Sequence, residues 1–367
     1  MTTMTRKERF ERALRREEVD RLPFWAKIFG PDYLHPQDPK YSKLTDLELA
    51  DHLDLDHMGG GGSCVVGSND VTEHSVERDG SRRTMTWKTP DRTLVGVDGF
   101  DEGSQAWHPI EFAIKDYADL RAARDIYAHT TYEAQDKLIE NSHARLRAVG
   151  DRGITMTGMG ISPLMDLIQH MIGPENTYFF FADYPDEMDE LIAIMHQDRV
   201  RYIKALVAST PLDYICCVEN TSTTLMSPEI FEKYCWQHLM EYGTIMADAG
   251  KQQVLHQCGK LRQLLPKIDE LPAVAIEAYT TPPVGDTTLA DRVNLSPNTA
   301  IIGGTDVTLW LKPANAIVDT IEGWLRDAGT MNGVVLTSAG VMTPHCPMDR
   351  IIEVRNRLYD FTPAMFN

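Results

Sequence analysis

Long apolar runs are missing from this 367-residue chain, and none of its uninterrupted hydrophobic stretches reaches the length of a bilayer span. The opening segment, Met1-Thr-Thr-Met-Thr-Arg-Lys-Glu-Arg-Phe10, lacks the apolar core of a signal peptide, so a cytoplasmic protein with no membrane partner is expected. Basic residues are scarce as well: 36 lysines and arginines stand against 54 aspartates and glutamates, a formal net charge of −18. A nucleic-acid partner would require a basic face and is not expected. The acidic residues are dispersed, which suits a solvated surface and permits a protein partner with a basic docking patch. The six cysteines (Cys64, Cys216, Cys217, Cys235, Cys258 and Cys346) are scattered, which speaks against a disulfide framework. No Gly-x-Gly-x-x-Gly opens a strand–helix unit, and the run Gly59–Gly62 lacks the lysine and hydroxyl of a phosphate loop. Those four glycines fit a flexible turn or a close backbone approach to a ligand. No repeat, low-complexity stretch or Pro/Gly-rich linker marks a second domain.

What is present is an alternation of short apolar segments with amphipathic ones. Strands are predicted over Leu22–Ile28, Gly153–Gly158, Tyr214–Val218, Gln253–His256, Ala273–Ala278, Thr299–Ile302 and Gly333–Leu336, with a further short segment at Leu55–Met58. Helices are predicted over Arg6–Arg16, Thr45–His52, Glu133–Val149, Pro163–Ile172, Asp186–Ser209, Pro228–Ala249, Lys260–Ile268, Ala314–Ala328 and Met348–Phe361. An alternating stretch from about 71 to 99, with Asp79-Gly80 at its turn, reads as a β-hairpin with a further strand at Pro90–Val97, inserted near the N-terminal part. The pattern fits a single (β/α)8 TIM-type barrel spanning residues 1–367; a doubly wound open sheet is the competitor.

In a barrel, chemistry sits where strands end. The segment Val254-Leu-His256-Gln-Cys258-Gly259 puts an imidazole and a thiol two residues apart at such an end, on one side of the chain. A nitrogen and a sulfur donor together suit zinc, although the bare triplet by itself better fits a half-buried histidine beside a core cysteine. Glu219 ends the preceding strand and is expected to project beside His256, making Glu219, His256 and Cys258 the catalytic metal set. Cys346, in the loop after the last strand, is a further candidate ligand, and His345 stands beside it. Trp25, Lys27, Glu277, Tyr279 and Asp306 are the candidate substrate-binding residues, from their places at or just past strand ends. Each carboxylate also has a plain structural reading. Glu219 would cap the next turn, Glu277 would pair with a basic neighbour, and Asp306 would N-cap the turn at Val307–Leu311.

Leu22-Pro-Phe-Trp25, Met342-Thr-Pro-His-Cys-Pro347-Met-Asp-Arg-Ile-Ile and the barrel rhythm between them resemble the uroporphyrinogen decarboxylase superfamily. The resemblance implies either of two activities: cofactor-free porphyrinogen decarboxylation, or zinc-dependent methyl exchange with a corrinoid protein. The decarboxylases carry an arginine-rich loop after the Pro-x-Trp segment, whereas here Ala26-Lys-Ile-Phe-Gly-Pro-Asp-Tyr33 offers only Lys27. The methyltransferases carry His-x-Cys as zinc ligands, matched by His256 and Cys258. Their third cysteine aligns with Gly340, so Glu219 or Cys346 would have to replace it. The hairpin, Thr89-Pro-Asp-Arg-Thr-Leu-Val95 and Trp107-His-Pro-Ile-Glu-Phe-Ala-Ile-Lys-Asp-Tyr117 are similar to the methyltransferase branch that demethylates methoxylated aromatics.

The expected function is therefore zinc-dependent transfer of a methyl group from a small methoxylated donor to the Co(I) corrinoid (cobalamin) of a partner protein. Transfer from a methylcorrinoid to a thiol or folate, or a decarboxylation, are the alternatives. No corrinoid-module signature is present, since Leu55 precedes Asp56-His57-Met-Gly-Gly60 where an aspartate would stand, so the corrinoid must come from a partner. A homodimer is compatible with the chain.

Overall fold

The structure, a computed structural model, describes residues 3–28, 37–41, 43–102 and 106–366. In chain order the strands are β1 (His57–Gly60), β2 (Val65–Asn69), β3 (Glu73–Asp79), β4 (Arg82–Lys88), β5 (Thr93–Asp101), β6 (Ala106–Glu111), β7 (Thr130–Ala134), β8 (Gly153–Gly160), β9 (Tyr214–Val218), β10 (Gln252–His256), β11 (Ala273–Thr280), β12 (Ala300–Thr305) and β13 (Val334–Leu336). Seven of them form one parallel sheet in the order β1-β8-β9-β10-β11-β12-β13. Neighbours in space follow chain order, as helix crossovers between parallel strands dictate.

The sheet curls, and the segment Leu22–Ile28 joins its two edges. Phe24 bridges Leu336 of β13 in parallel, and its carbonyl accepts a 3.1 Å hydrogen bond from the Asp56 N–H just ahead of β1. The predicted first strand thus contracts to one bridging residue, because Pro23 has no N–H to extend the ladder. Beneath it Phe24 stacks on Trp310 at 5.5 Å, and the Trp310 indole donates to Thr305 Oγ1 at 3.0 Å. Both rings are core residues. The ring of parallel elements is the expected TIM-like barrel.

Every residue of β12 is buried, as in a parallel strand covered on both faces. Helices supply the outer layer. Ala314–Ala328 buries Ile317, Val318, Ile321 and Leu325 along one stripe and stops at Gly329, whose φ of 67° is the left-handed cap that glycine adopts freely. Pro185–Ser209 and Met348–Leu358 pack in the same manner. Within the glycine run Gly61 is crowded, since a Cβ there would come within 2.3 Å of Leu212 Cδ1, and Gly62 has a left-handed φ of 73°, while a Cβ at Gly60 would meet nothing within 4 Å.

Three expectations are corrected. The insertion is larger than expected: beyond the hairpin and the further strand, β6 completes a four-stranded antiparallel sheet reaching Glu111, with the expected tight turn between Asp79 and Arg82. The helix expected from Lys260 spans only Leu265–Ile268. Asp286 takes the N–H groups of Leu261 and Arg262 instead, and Pro266 is tolerated only in a first helical turn. The helix expected over Glu133–Val149 begins at Asp136, because Thr130–Ala134 pairs with β2. The segment after Lys27 read for arginine clamps runs from Ile28 into residues outside the described ones.

Candidate functional site

A cavity of about 570 Å³ opens at the C-terminal ends of the barrel strands. Its walls are largely apolar (Trp25, Met58, Met156, Val218 and Val341), and its polar groups include Lys27, His256 and Glu277. Among the described lining residues Lys27 is the one lysine or arginine.

These three polar groups form a chain. The Lys27 ammonium pairs with Glu277 Oε1 and donates to the Ala339 carbonyl at 2.7 Å, while Glu277 Oε2 accepts from His256 Nδ1. Glu277 and Lys27 are almost fully buried, at 3% and 5% exposure. Burial alone would raise the Glu277 pKa, but the Lys27 charge and the His256 hydrogen bond outweigh it and hold the carboxyl below its usual range. Burial alone would depress His256; its hydrogen bonds to Cys258 and Glu277 and the Glu277 charge lift it to about 9. With Nδ1 committed to Glu277, Nε2 is the ring nitrogen left to act. A carboxylate behind a histidine in this way is the usual support of a metal-binding imidazole.

Local backbone strain marks the same place. Six described residues other than glycine have positive φ, and four of them belong here: Lys27, Asn220, Ala278 and Ala339. Lys27 lines the cavity, Asn220 meets Cys258, Ala278 follows Glu277, and Ala339 receives the Lys27 ammonium. Strained conformations of this kind concentrate at functional sites.

The structure brings together His256, Cys258, Glu277, Lys27 and Trp25. It does not bring Glu219 to them. In β9, Cys216 and Val218 face the cavity, so Cys217 and Glu219 face the outer layer. There Ser162 Oγ donates to Glu219 Oε1 at 2.7 Å, its N–H donates to Oε2 at 3.2 Å, and the Cys217 thiol lies 3.8 Å from Oε2. Burial pushes this carboxyl's pKa up in spite of the Ser162 bonds. Only the backbone of Glu219 touches the site, its N–H donating to the His256 carbonyl at 2.9 Å.

Cys346 is buried beneath its loop with its sulfur 3.9 Å from the Pro347 carbonyl, and burial pushes its thiol up to about 11. His345 is exposed. Tyr279 is buried with its hydroxyl donating to the Thr288 carbonyl at 2.8 Å, because the register shift between Glu277 and Tyr279 turns it out of the cavity. Asp306 accepts from the Thr308 N–H at 2.8 Å and caps the following turn, its structural reading. Trp87 and Trp107 lie on the inserted sheet, against His74 and Phe100. Asn220 was not legible as a site residue; its hydrogen bond with Cys258 depends on its left-handed backbone.

The donor types suit zinc. His256 Nε2 and the Cys258 sulfur are a nitrogen and a sulfur donor held side by side, and Cys258 is the one cysteine of the six that is not buried. Among the described residues no group of three or more His, Cys, Asp or Glu side chains is disposed around a metal position. Among the described residues this arrangement therefore offers two donors, His256 and Cys258. Gly340 lines the cavity where the methyltransferases' third cysteine was aligned, and a Cβ there would meet nothing within 4 Å.

A closed ring of parallel strands with charged and thiol groups gathered at one mouth defines a TIM-like barrel enzyme. The chain belongs to the uroporphyrinogen decarboxylase (URO-D) family, whose model matches residues 101–359. It is similar along nearly its whole length to two proteins named methylcobamide:CoM methyltransferase MtbA. The one from Methanosarcina mazei is 24% identical, covering 96% of this chain and 98% of the relative. The one from Methanosarcina acetivorans is 25% identical with the same coverage. A solved methyltransferase from Methanosarcina mazei shares the fold, with a TM-score of 0.58 at 17% identity over 97% of this chain and 98% of its own. Among the described residues no helix is long and apolar enough to cross a membrane.

Proposed function

We propose that this chain is a zinc-dependent methyltransferase that moves a methyl group from a small methoxylated, aromatic substrate to the Co(I) corrinoid of a partner protein. The observation that carries the reading is the His256–Cys258 pair, backed by Glu277, at the edge of an apolar cavity large enough for one substituted ring. Trp25, Met58, Met156 and Val218 would hold the ring and keep water out. Lys27 is committed to Glu277, so the cavity favours an uncharged body over a multiply anionic one. This supports a methyl ether over a porphyrinogen, whose carboxylates would need several free cations.

His256 and Cys258 would hold the zinc. When bound, the metal supplies Lewis acidity that stabilises the negative charge developing on the departing ether oxygen. Glu277 fixes the imidazole through Nδ1 and leaves Nε2 as the nitrogen that would hold the metal, and Lys27 neutralises Glu277 so that its charge does not oppose an oxyanion. The partner's Co(I) corrinoid would supply the electron pair for the new bond to the methyl carbon, and the pair of the methyl–oxygen bond would leave on the oxygen held in this site. The corrinoid belongs to the partner, which would dock over the strand ends; the net charge of −18 favours a basic docking patch on it.

The names of the two Methanosarcina relatives favour a second reading, transfer from a methylated corrinoid to a thiol. One assay separates the two. Zinc-loaded protein is mixed with a reduced corrinoid protein and a panel of methoxylated aromatics, and the methylcobalt absorption is followed. Growth of that absorption supports ether cleavage; silence with every ether, together with decay of methylcobalt on adding a thiol, replaces it with the second reading.

A further inference from the structure

Two amides that are far apart in sequence meet behind Cys258. Asn220 follows β9 with a φ of 51°, a left-handed conformation that asparagine adopts more readily than other side-chain-bearing residues. Its amide reaches the candidate ligand: the Cys258 thiol donates to Asn220 Oδ1 at 3.4 Å, within range for a sulfur donor. The other end of the amide is anchored, with Asn220 Nδ2 donating to Gln169 Oε1 at 2.9 Å. Gln169 lies in the π-turn Leu167–Met171, a local widening of a helix that recurs at functional sites.

Gln169 Nε2 is buried without a hydrogen-bond partner. Amide oxygen and nitrogen exchange places by a half-turn of the terminal torsion, with no change of shape. If both amides turn, Gln169 Nε2 donates to Asn220 Oδ1 and Asn220 Nδ2 donates to the Cys258 sulfur. The orphaned N–H is then replaced by a carbonyl oxygen, which tolerates the lack of a partner better. The first setting accepts from a thiol; the second supports a sulfur that carries no proton, as a metal-ligating sulfur must not.

We infer that Asn220, anchored by Gln169, is a positioning residue that fixes the Cys258 sulfur for ligation. The inference rests on Cys258 being a zinc ligand in the function proposed above. Its test uses two variants and two readouts. Asn220→Gly keeps the left-handed backbone and removes the amide; Gln169→Leu keeps Asn220 and removes its anchor. The first readout is zinc affinity, by competition with a chromophoric chelator. Asn220→Gly is expected to weaken binding about 10- to 100-fold, the usual effect of removing an outer partner of a ligand, and Gln169→Leu several-fold. The second is the rate of Cys258 alkylation by iodoacetamide in chelator-treated protein, located by peptide mass. Both variants are expected to react several-fold faster, since the sulfur is no longer held. Wild-type alkylation rates in both variants, with thermal midpoints unchanged, overturn the inference whatever the metal does. Failure of the wild-type protein to bind zinc would instead overturn the metal reading, and the alkylation contrast would still decide the role of Asn220.

Discussion

Replacing Glu277 with glutamine removes one negative charge from between two cations and alters almost no volume. Lys27 then keeps its 2.7 Å hydrogen bond to the Ala339 carbonyl but loses its counter-charge at 5% exposure. Removing one member of a buried ion pair costs about 3–5 kcal/mol. With an unfolding entropy of roughly 2.1 cal/mol/K per residue, a chain of 367 residues loses about 4–6 °C in thermal midpoint for such a change. The loss should depend on pH, because His256 is lifted from 6.5 to about 9 in the folded chain. A raised pKa stabilises the fold fully below about 6.5 and loses its effect as pH rises through about 9. At about 1.36 kcal/mol per unit, that share is on the order of 3 kcal/mol, with the His256 side chain less than a quarter exposed. The gap between wild type and Glu277→Gln in metal-free protein is therefore expected to be widest near pH 6 and to narrow toward pH 9. Urea unfolding at a series of pH values reads it. A gap that is absent, or that stays constant from pH 6 to 9, would refute the Lys27–Glu277–His256 chain as the holder of the imidazole.

Two other substitutions probe the neighbouring groups. Ser162→Ala removes the 2.7 Å donor to the buried Glu219 carboxyl and should destabilise the fold by about 1–3 kcal/mol in urea unfolding. Unaltered stability would show that Glu219 is not held behind β9. Gly340→Cys adds a thiol where a Cβ meets nothing within 4 Å, at the edge of the cavity that holds His256. As a third protein donor it is expected to tighten zinc binding at least about tenfold in chelator competition, since structural and catalytic zinc sites use three or four protein ligands. A folded variant with wild-type affinity would place Gly340 away from the metal.

Much of this arrangement was legible because parallel strands are short apolar runs that stop at polar residues. His256 and Glu277 could be placed at strand ends from that pattern alone, and both line the cavity. Glu219 could not be oriented in the same way. Tyr214-Ile-Cys-Cys-Val218 is apolar on both faces, so nothing in its composition tells the inner from the outer set. One residue of parity separates Val218 in the cavity wall from Glu219 against Ser162. Tyr279 was misplaced for a related reason: the left-handed Ala278 breaks the alternation after Glu277, and alanine carries no sequence signal for that conformation. Lys27 was visible as a lone cation near the first strand, but its partner stands 250 positions away. The insertion was recognised by its Asp-Gly turn and underestimated in extent, since β6 lacks so sharp a marker.

The central claim is that His256 and Cys258 hold a zinc ion at the mouth of the barrel. Its most direct test is the zinc content per chain, measured by mass spectrometry of the metal after equilibration with zinc and removal of excess. One zinc per wild-type chain, and none in a folded His256→Ala plus Cys258→Ala double variant, is the expected result. A wild-type chain without zinc, or a double variant that retains it, would contradict the claim.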